Sequence, residues 1–268
     1  MTAPRILLTN DDGVRSPGLL AAAEALHHLG AVDVFAPLRQ QTAMGRAQTG
    51  DRNATLQQVE LNVAGAPLQA WACDASPAAT VGHGLKVMPG YTPALLVSGI
   101  NYGENLGASI TSSGTVGAAL EGACRGIPAL AVSMETGIES HHAYTEQDWG
   151  AAMHFLSLFA GMVLERGLPG DVHVLKIDVP AGATPDTPWR LTRLSPDMYY
   201  ESRLAAPSLT SRLGDATVTK GPAPGESPET DVYALSVDRV VSVTPLTIDF
   251  TARTAFGDIR SWLAPGER

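Results

Sequence analysis

The fold class follows from Arg5-Ile6-Leu7-Leu8-Thr9, an apolar run near the start of the chain that ends in the turn residues Asn10-Asp11-Asp12-Gly13. Apolar residues at helical spacing then occupy Pro17–Leu29, and Gly30 supplies the usual end of a helix. A second apolar run, Val32–Ala36, follows at once. Strand, helix and strand within about 36 residues predict a right-handed parallel βαβ unit.

The same alternation continues to about residue 180. We predict further strands at Leu56–Val63, Leu68–Ala72, Ala94–Val97, Ala129–Ser133 and Val172–Val179, and further helices at Ser76–Lys86, Thr115–Arg125 and Thr145–Arg166. Residues 181–230 are rich in Pro, Gly, Ser and Thr and have little periodicity, which is typical of an extension or a functional arm. Beyond Pro180 we predict only strands at Trp189–Leu194 and Val240–Val243 and a last helix at Thr251–Leu263.

These elements predict an α/β fold with three layers, in which helices cover both faces of a Rossmann-like, mostly parallel sheet. We expect a single domain over residues 1–268. Residues 1–180 would form the α/β core. Residues 181–268 would hold closing elements and a C-terminal arm that packs on another subunit.

Composition limits the partners of this protein. The formal net charge of −9 repels nucleic-acid polymers and anionic membranes, so we expect neither as a partner. A small anionic substrate would need a local cation, and the chain has only three lysines, so a bound metal is a natural source of positive charge. The sequence shows no signal-peptide pattern, no apolar run long enough for a membrane span and no cysteine framework, from which we expect a cytoplasmic protein.

Polar residues follow three of the predicted strands, at the edge of a parallel sheet where ligands bind. The first loop carries the adjacent carboxylates Asp11 and Asp12, which repel each other unless a hard cation lies between them. The second loop carries the hydroxyl of Thr42, and the third carries the amide of Asn101. An Asp-rich turn and polar surface loops are the alternative interpretations of these segments.

The third loop continues through Asn105 to Ser113-Gly114-Thr115, where a predicted helix begins. The free N–H groups and dipole of a helix N-terminus favour an anion, and the two hydroxyls add donors. Simple N-capping by Ser or Thr is the alternative. Together the three loops place carboxylates, a hydroxyl, an amide and an anion site at one edge of the sheet. A metal-assisted phosphate hydrolase requires this grouping.

Several rival motifs are absent from the sequence. It contains no G-x-G-x-x-G fingerprint, no Gly-Lys pair of a P-loop and no G-x-S-x-G nucleophile elbow. We interpret His141-His142 as loop polarity, because adjacent side chains point apart on a helix or strand.

The chain resembles the SurE (survival protein E) family in four blocks that span nearly its whole length in the right order. They are Ile6–Val14 with Ser16-Pro17-Gly18, Val97–Gly107, Ser113–Val116 with Glu121-Gly122 and Gly126–Ser133, and Thr230-Asp231 with Val241–Leu246, Asp249 and Thr251-Ala252. Members of this family are metal-dependent phosphatases of 5′- and 3′-nucleotides, and they form dimers or tetramers through C-terminal arms.

The resemblance implies which residues form the site. One divalent ion per subunit (Mg²⁺, Mn²⁺ or Co²⁺) would be held by Asp11, Asp12, Thr42 and Asn101, where Thr42 replaces the family's Ser. Asp11, Asp12 and Asn101 would be the catalytic residues. Asn105, Ser113, Gly114 and Thr115 would bind the phosphate of a nucleoside monophosphate. The sequence departs from the family pattern at Arg15, Leu38, Ala79 and Ser112.

Two other functions are weighed against this one. A receiver-type signalling module also has an acidic pair after its first strand, but it needs an Asp at the end of the third strand, where this chain has Val97-Ser98-Gly99. The second alternative is a SurE-like protein that binds metal and nucleotide with little or no turnover. Arg15, Leu38 and Ala79 motivate it, and nucleotide binding without hydrolysis would identify it.

Overall fold

The computed structural model describes residues 3–141 and 144–264. Eleven strands and six α-helices are present in these residues. The strands are β1 (Arg5–Thr9), β2 (Ala31–Pro37), β3 (Gln57–Val63), β4 (Ala66–Cys73), β5 (Leu95–Tyr102), β6 (Ala129–Met134), β7 (Val174–Val179), β8 (Trp189–Leu191), β9 (Tyr200–Arg203), β10 (Thr217–Lys220) and β11 (Val241–Leu246). The helices are α1 (Pro17–Leu26), α2 (Pro77–Val87), α3 (Gly114–Ala123), α4 (Gly150–Arg166), α5 (Asp231–Ser236) and α6 (Phe256–Leu263).

Nine strands form one sheet in the order β3-β4-β2-β1-β5-β6-β7-β11-β8. Pairing is parallel from β4 to β7, whereas β3 and β11 join their neighbours β4 and β7 antiparallel. Strands β9 and β10 form a separate antiparallel hairpin. The predicted mostly parallel α/β sheet is therefore confirmed, and β1 lies inside it, between β2 and the central strand β5.

Helices cover both faces of the sheet and make it a three-layer structure. Helices α1 and α4 pack together on one face, and α2 and α3 pack together on the other. Side chains alternate along β1 between the two faces of the sheet. Ile6 and Leu8 pack in the hydrophobic core on one face, and Leu7 packs in the core on the other. A strand buried on both faces must be apolar throughout, which explains the continuous apolar run that identified β1 in the sequence.

The start of the chain folds as its sequence predicts. Strand β1 has the predicted bounds, and α1 begins at Pro17 with Ser16 as its N-cap, whose side chain accepts a hydrogen bond from the Leu19 N–H. The helix ends at Leu26, three residues earlier than predicted.

Two predicted boundaries differ near the site. Strand β5 continues to Tyr102 instead of ending at Val97, because Asn101 and Tyr102 still pair with Ser133 and Met134 of β6 after a register shift. Helix α4 begins at Gly150 instead of Thr145. The preceding segment is held outside the helix by other contacts, among them a hydrogen bond from the Tyr102 hydroxyl to the Thr145 carbonyl.

The C-terminal region is partly built into the core. Strands β8 and β11 extend the main sheet beyond β7, so residues 181–268 do not form only an appended arm. The β9–β10 hairpin and α5 were not predicted, because each is too short to show a clear period. Helix α6 buries no residue against the rest of the chain. No helix within the described ranges is both long enough and apolar enough to cross a membrane.

Candidate active site

A cavity of about 330 Å³ lies at the carboxyl ends of β1, β2 and β5. All four predicted metal ligands line it, together with the predicted phosphate-binding residues Asn105 and Ser113. The complete lining is Asp11, Asp12, Gln40, Thr42, Ala43, Asn101, Tyr102, Gly103, Glu104, Asn105, Ser109, Ser112, Ser113, Tyr200 and Val218. The fold thus brings together side chains that are as far apart in sequence as Asp11 and Val218, about two hundred residues.

Asp11 and Asp12 are almost fully buried at the end of β1. Asp11 Oδ1 accepts a hydrogen bond of 2.6 Å from the Thr115 hydroxyl. Asp12 Oδ2 accepts one of 3.2 Å from the Tyr102 N–H, and Asp12 Oδ1 accepts a longer one of 3.4 Å from the Gln40 amide. These contacts fix both carboxylates in place.

The surroundings of the two carboxylates leave their charge uncompensated. Burial raises the pKa of both Asp11 and Asp12 above its ordinary value. The neighbouring charge of Asp11 raises the pKa of Asp12 further, whereas the hydrogen bond from Thr115 lowers that of Asp11. Two adjacent buried carboxyl groups resist ionisation because their negative charges repel each other. A divalent cation bound between them would compensate both charges, so this pair favours cation binding.

The remaining predicted ligands suit such a cation. The Asn101 amide nitrogen donates to the carbonyls of Gly103 (2.7 Å) and Tyr102 (3.2 Å), which leaves Oδ1 as the atom that can face a ligand. Thr42 adds a hydroxyl oxygen to the same cavity. The donor set is therefore all oxygen, as hard divalent cations prefer. Within the described ranges no group of three or more His, Cys, Asp and Glu residues is placed to hold a metal ion, so the only acidic members of the predicted set are Asp11 and Asp12.

The cavity also has groups suited to binding an anion. Asn105 Nδ2 donates to the Ser133 hydroxyl at 2.8 Å, which holds the amide against β6. Ser113 is the N-cap of α3, and its side chain accepts from the Val116 N–H at 3.1 Å. The N-terminus of α3, with its partial positive charge, therefore lies beside the carboxylate pair.

Gly114 and Thr115 lie against Asp11. A Cβ atom at residue 114 would approach Asp11 Oδ2 to 2.7 Å and Asp11 Cβ to 2.8 Å, so this close approach requires glycine. Thr115 is fully buried, and its hydroxyl is directed at Asp11. The structure thus gives Thr115 a contact that the sequence did not predict, and its contact with phosphate stays a prediction.

The C-terminal hairpin completes the cavity, which the sequence did not indicate. Tyr200 of β9 and Val218 of β10 line it. Lys220 of β10 donates to the buried carboxylate of Glu104 at 2.7 Å, and the Tyr200 hydroxyl donates to the Glu104 carbonyl at 3.2 Å. These two contacts join the hairpin to the loop after β5, which carries Asn105. Lys220 was visible in the sequence as one of only three lysines, but nothing there indicated its partner.

A larger cavity of about 780 Å³ lies on the far side of α3. Its lining mixes apolar residues such as Ile110, Leu120 and Phe250 with polar and charged ones, among them Arg46, Arg193 and Arg253. It holds no pair of adjacent carboxylates, so the smaller cavity is the candidate active site despite its size. His142, of the His141-His142 pair that we interpret as loop polarity, lies outside the described residues.

Three comparisons relate the chain to known proteins. The family model described as survival protein SurE matches residues 6–201. The 5′-nucleotidase SurE of Thermococcus gammatolerans is 42% identical over 265 residues, which cover 97% of this chain and 96% of that protein. The 5′-nucleotidase SurE of Methanocella arvoryzae is 41% identical over 257 residues, or 92% and 93% of the two chains. The crystal structure of the SurE protein from Aquifex aeolicus matches the fold with a TM-score of 0.75 and 28% identity, over 97% of this chain and 99% of that chain.

Proposed function

The chain belongs to the SurE family, and we propose that it is a metal-dependent 5′-nucleotidase that hydrolyses nucleoside monophosphates to nucleoside and phosphate. The observation that carries this proposal is the buried pair Asp11 and Asp12, which shares one cavity with neutral oxygen ligands and the N-terminal end of a helix. We include nucleoside 3′-monophosphates among the substrates, because the SurE family that the chain resembles acts on both 5′- and 3′-nucleotides.

The residues divide the reaction between them. One divalent cation per subunit, Mg²⁺, Mn²⁺ or Co²⁺, would be held by Asp11, Asp12, Asn101 and Thr42. When bound, such a cation would supply Lewis acidity, which would polarise the phosphate and make a water molecule more acidic. Asn105, Ser113, Gly114 and Thr115 would hold and orient the phosphate oxygens, because phosphoryl transfer depends mainly on positioning and on charge stabilisation. One carboxylate of the pair would accept the proton of the attacking water, and Asp11 is the preferred candidate.

Assembly and location complete the proposal. The apolar side chains of α6 are exposed, among them Phe256 at 67% and Trp262 at 80%, which supports self-association through the C-terminal arm into a homodimer or homotetramer. We place the enzyme in the cytoplasm, where nucleotides are abundant. A single domain with an α/β core and a C-terminal arm accommodates both the site and the assembly.

Phosphate release is the experiment that tests this function. The chelator-stripped protein is supplied with Mn²⁺, Mg²⁺ or Co²⁺ separately and given a panel of nucleoside 5′- and 3′-monophosphates. We expect metal-restored release that Asp11→Asn abolishes without loss of the fold. Asp33→Asn is a matched control, because Asp33 lies on β2 and pairs with Arg5 away from the cavity. A folded and fully active Asp11→Asn variant would contradict the assignment of Asp11.

The second candidate function is metal and nucleotide binding without useful turnover. Leu38, Ala79 and Arg15, which depart from the family pattern, favour it. If the wild-type protein binds nucleotide in titration calorimetry but releases no phosphate with any of the three metals, this second function replaces the first.

A further inference from the structure

A cluster of three charged side chains lies beneath the candidate site and takes no part in the mechanism above. Lys176, Asp178 and Asp231 are all fully buried. The Lys176 ammonium contacts the carboxylate of Asp178 and lies 3.1 Å from Asp231 Oδ2. Burial alone lowers the pKa of Lys176, but the two carboxylates outweigh it and raise that pKa above its ordinary value, so the ammonium stays charged.

This cluster holds both backbone polar groups of Asn105. The Asn105 N–H donates to Asp178 Oδ1 at 2.7 Å, and the Asn105 carbonyl accepts from Lys176 Nζ at 2.8 Å. The side chain of Asn105 is fixed separately, by its hydrogen bond to Ser133. Ser133 itself pairs with Asp178 across the sheet. Every described contact that orients Asn105 therefore leads to β6 or β7.

Asp231 connects the same cluster to the C-terminal region. Its Oδ2 accepts from the Gly107 N–H at 3.0 Å, and its Oδ1 accepts from the Ser195 N–H at 2.9 Å. The loop from Asn105 to Gly107 is thus held at both ends by buried charges. A loop residue held in this way cannot shift without breaking a charge-assisted hydrogen bond to a fully buried side chain.

We propose that Lys176, Asp178 and Asp231 form a positioning network that fixes Asn105 in the geometry needed to hold the substrate phosphate. The proposal rests on the proposed function, since it deepens the role of Asn105 in the same site. Stability alone is a poor explanation for the network, because a buried ion cluster is often replaced by packed apolar residues without loss of stability. Apolar residues could not replace the network in its other role, because they cannot form hydrogen bonds to the N–H and carbonyl of Asn105.

The test uses Asp178→Asn in the full-length protein. Asp178 accepts from Asn105 with one oxygen and from Lys176 with the other, whereas an amide has a single acceptor oxygen. One of the two contacts must therefore fail. We expect kcat/KM for a nucleoside monophosphate to fall on the order of 10- to 100-fold, as displacement of a positioned group usually causes.

A double-mutant cycle separates positioning from general damage. In an Asn105→Ala background the side chain to be positioned is gone, so Asp178→Asn should lower kcat/KM no further than about twofold. Ile177→Ala is the matched control, because Ile177 lies between Lys176 and Asp178 on β7, is equally buried and points to the opposite face. It should lower the Tm but leave kcat/KM of the folded protein within about twofold.

The opposite results overturn the inference. One such result is that the fold-losses in kcat/KM of Asp178→Asn and Asn105→Ala multiply in the double variant. The other is that Ile177→Ala lowers kcat/KM as much as Asp178→Asn does. If Asp178→Asn does not fold, the same cycle is run with Asp231→Asn. If wild type releases no phosphate, the proposed nucleotidase function fails, and the cycle is then run on the affinity for adenosine 5′-monophosphate measured by calorimetry. An additive cycle in that measurement rejects the positioning network independently.

Discussion

The Thr115 hydroxyl donates a hydrogen bond of 2.6 Å to Asp11 Oδ1, which joins the first turn of α3 to the end of β1. This bond favours the ionised carboxylate and lowers the pKa of Asp11 against the effect of burial. Its removal should therefore weaken cation binding more than it weakens the fold. We expect Thr115→Val, which keeps the shape of the side chain, to raise the Mn²⁺ concentration for half-maximal activity on the order of 10- to 100-fold.

Thr115→Ser is the control for that prediction, because it keeps the hydroxyl and should stay close to wild type. The measurement is phosphate release across a Mn²⁺ titration. An unchanged metal requirement in Thr115→Val would show that the bond does not tune the carboxylate.

The close approach of Gly114 to Asp11 makes a second prediction. In Gly114→Ala the new methyl would lie 2.7 Å from Asp11 Oδ2 and 2.8 Å from Asp11 Cβ, so the carboxylate must move. We expect kcat/KM to fall about 100-fold, the usual cost of displacing a reacting group by about 1 Å. Gly150→Ala is the matched control, since Gly150 is the first residue of α4 and its new methyl would meet only the exposed Asp148 side chain. Equal losses in steady-state assays of both variants would reject this explanation.

The buried carboxylate pair predicts how the stability of the metal-free protein depends on pH. The pKa values of Asp11 and Asp12 are raised in the folded state, so the folded protein binds protons more tightly than the unfolded chain. The resulting stabilisation is complete below the ordinary pKa of 3.8 and is lost as the pH rises through the raised values. Each unit of pKa difference corresponds to about 1.4 kcal/mol.

Asp12→Asn isolates this effect from the other acids of the protein. In chelator, we expect the free energy of unfolding of wild type to fall relative to Asp12→Asn as the pH rises from about 4 towards neutrality. Denaturant titrations at several pH values measure the difference. Adding Mn²⁺ at neutral pH should stabilise wild type and have little effect on the variant. If the difference in unfolding free energy between wild type and Asp12→Asn does not change with pH, ionisation of the carboxylate pair does not destabilise the folded protein.

The exposed apolar face of α6 predicts self-association. Phe256 and Trp262 are largely exposed in the single chain, and such residues normally lie in an interface. We expect Trp262→Asp to shift the molar mass measured by light scattering after gel filtration towards that of one chain. Arg260→Asp, on the same helix, introduces the same residue and should keep the assembled mass. A monomeric wild type would reject the arm as an assembly element.

Local sequence patterns determined the architecture and the chemical character of the site. The apolar run Arg5–Thr9 and the amphipathic segment from Pro17 specify a buried strand and a helix by their period alone, and a parallel sheet then necessarily gathers the loops that follow its strands. For this reason the sequence alone predicts that Asp11, Asp12, Thr42 and Asn101 lie together, as they do in the cavity.

Only the tertiary structure decided how those residues are held. Thr115 bonds to Asp11 across 104 positions of sequence, and the cluster at Lys176 and Asp178 holds Asn105 across more than 70. The hairpin that carries Tyr200 and Val218 reaches the cavity through Lys220 and Glu104, which are 116 positions apart. Periodicity reports which face of an element is buried, but it carries no information about which distant polar partner meets that face. Such partners are selected by the packing of the whole chain, because a buried polar group is stable only where another element supplies its hydrogen bond.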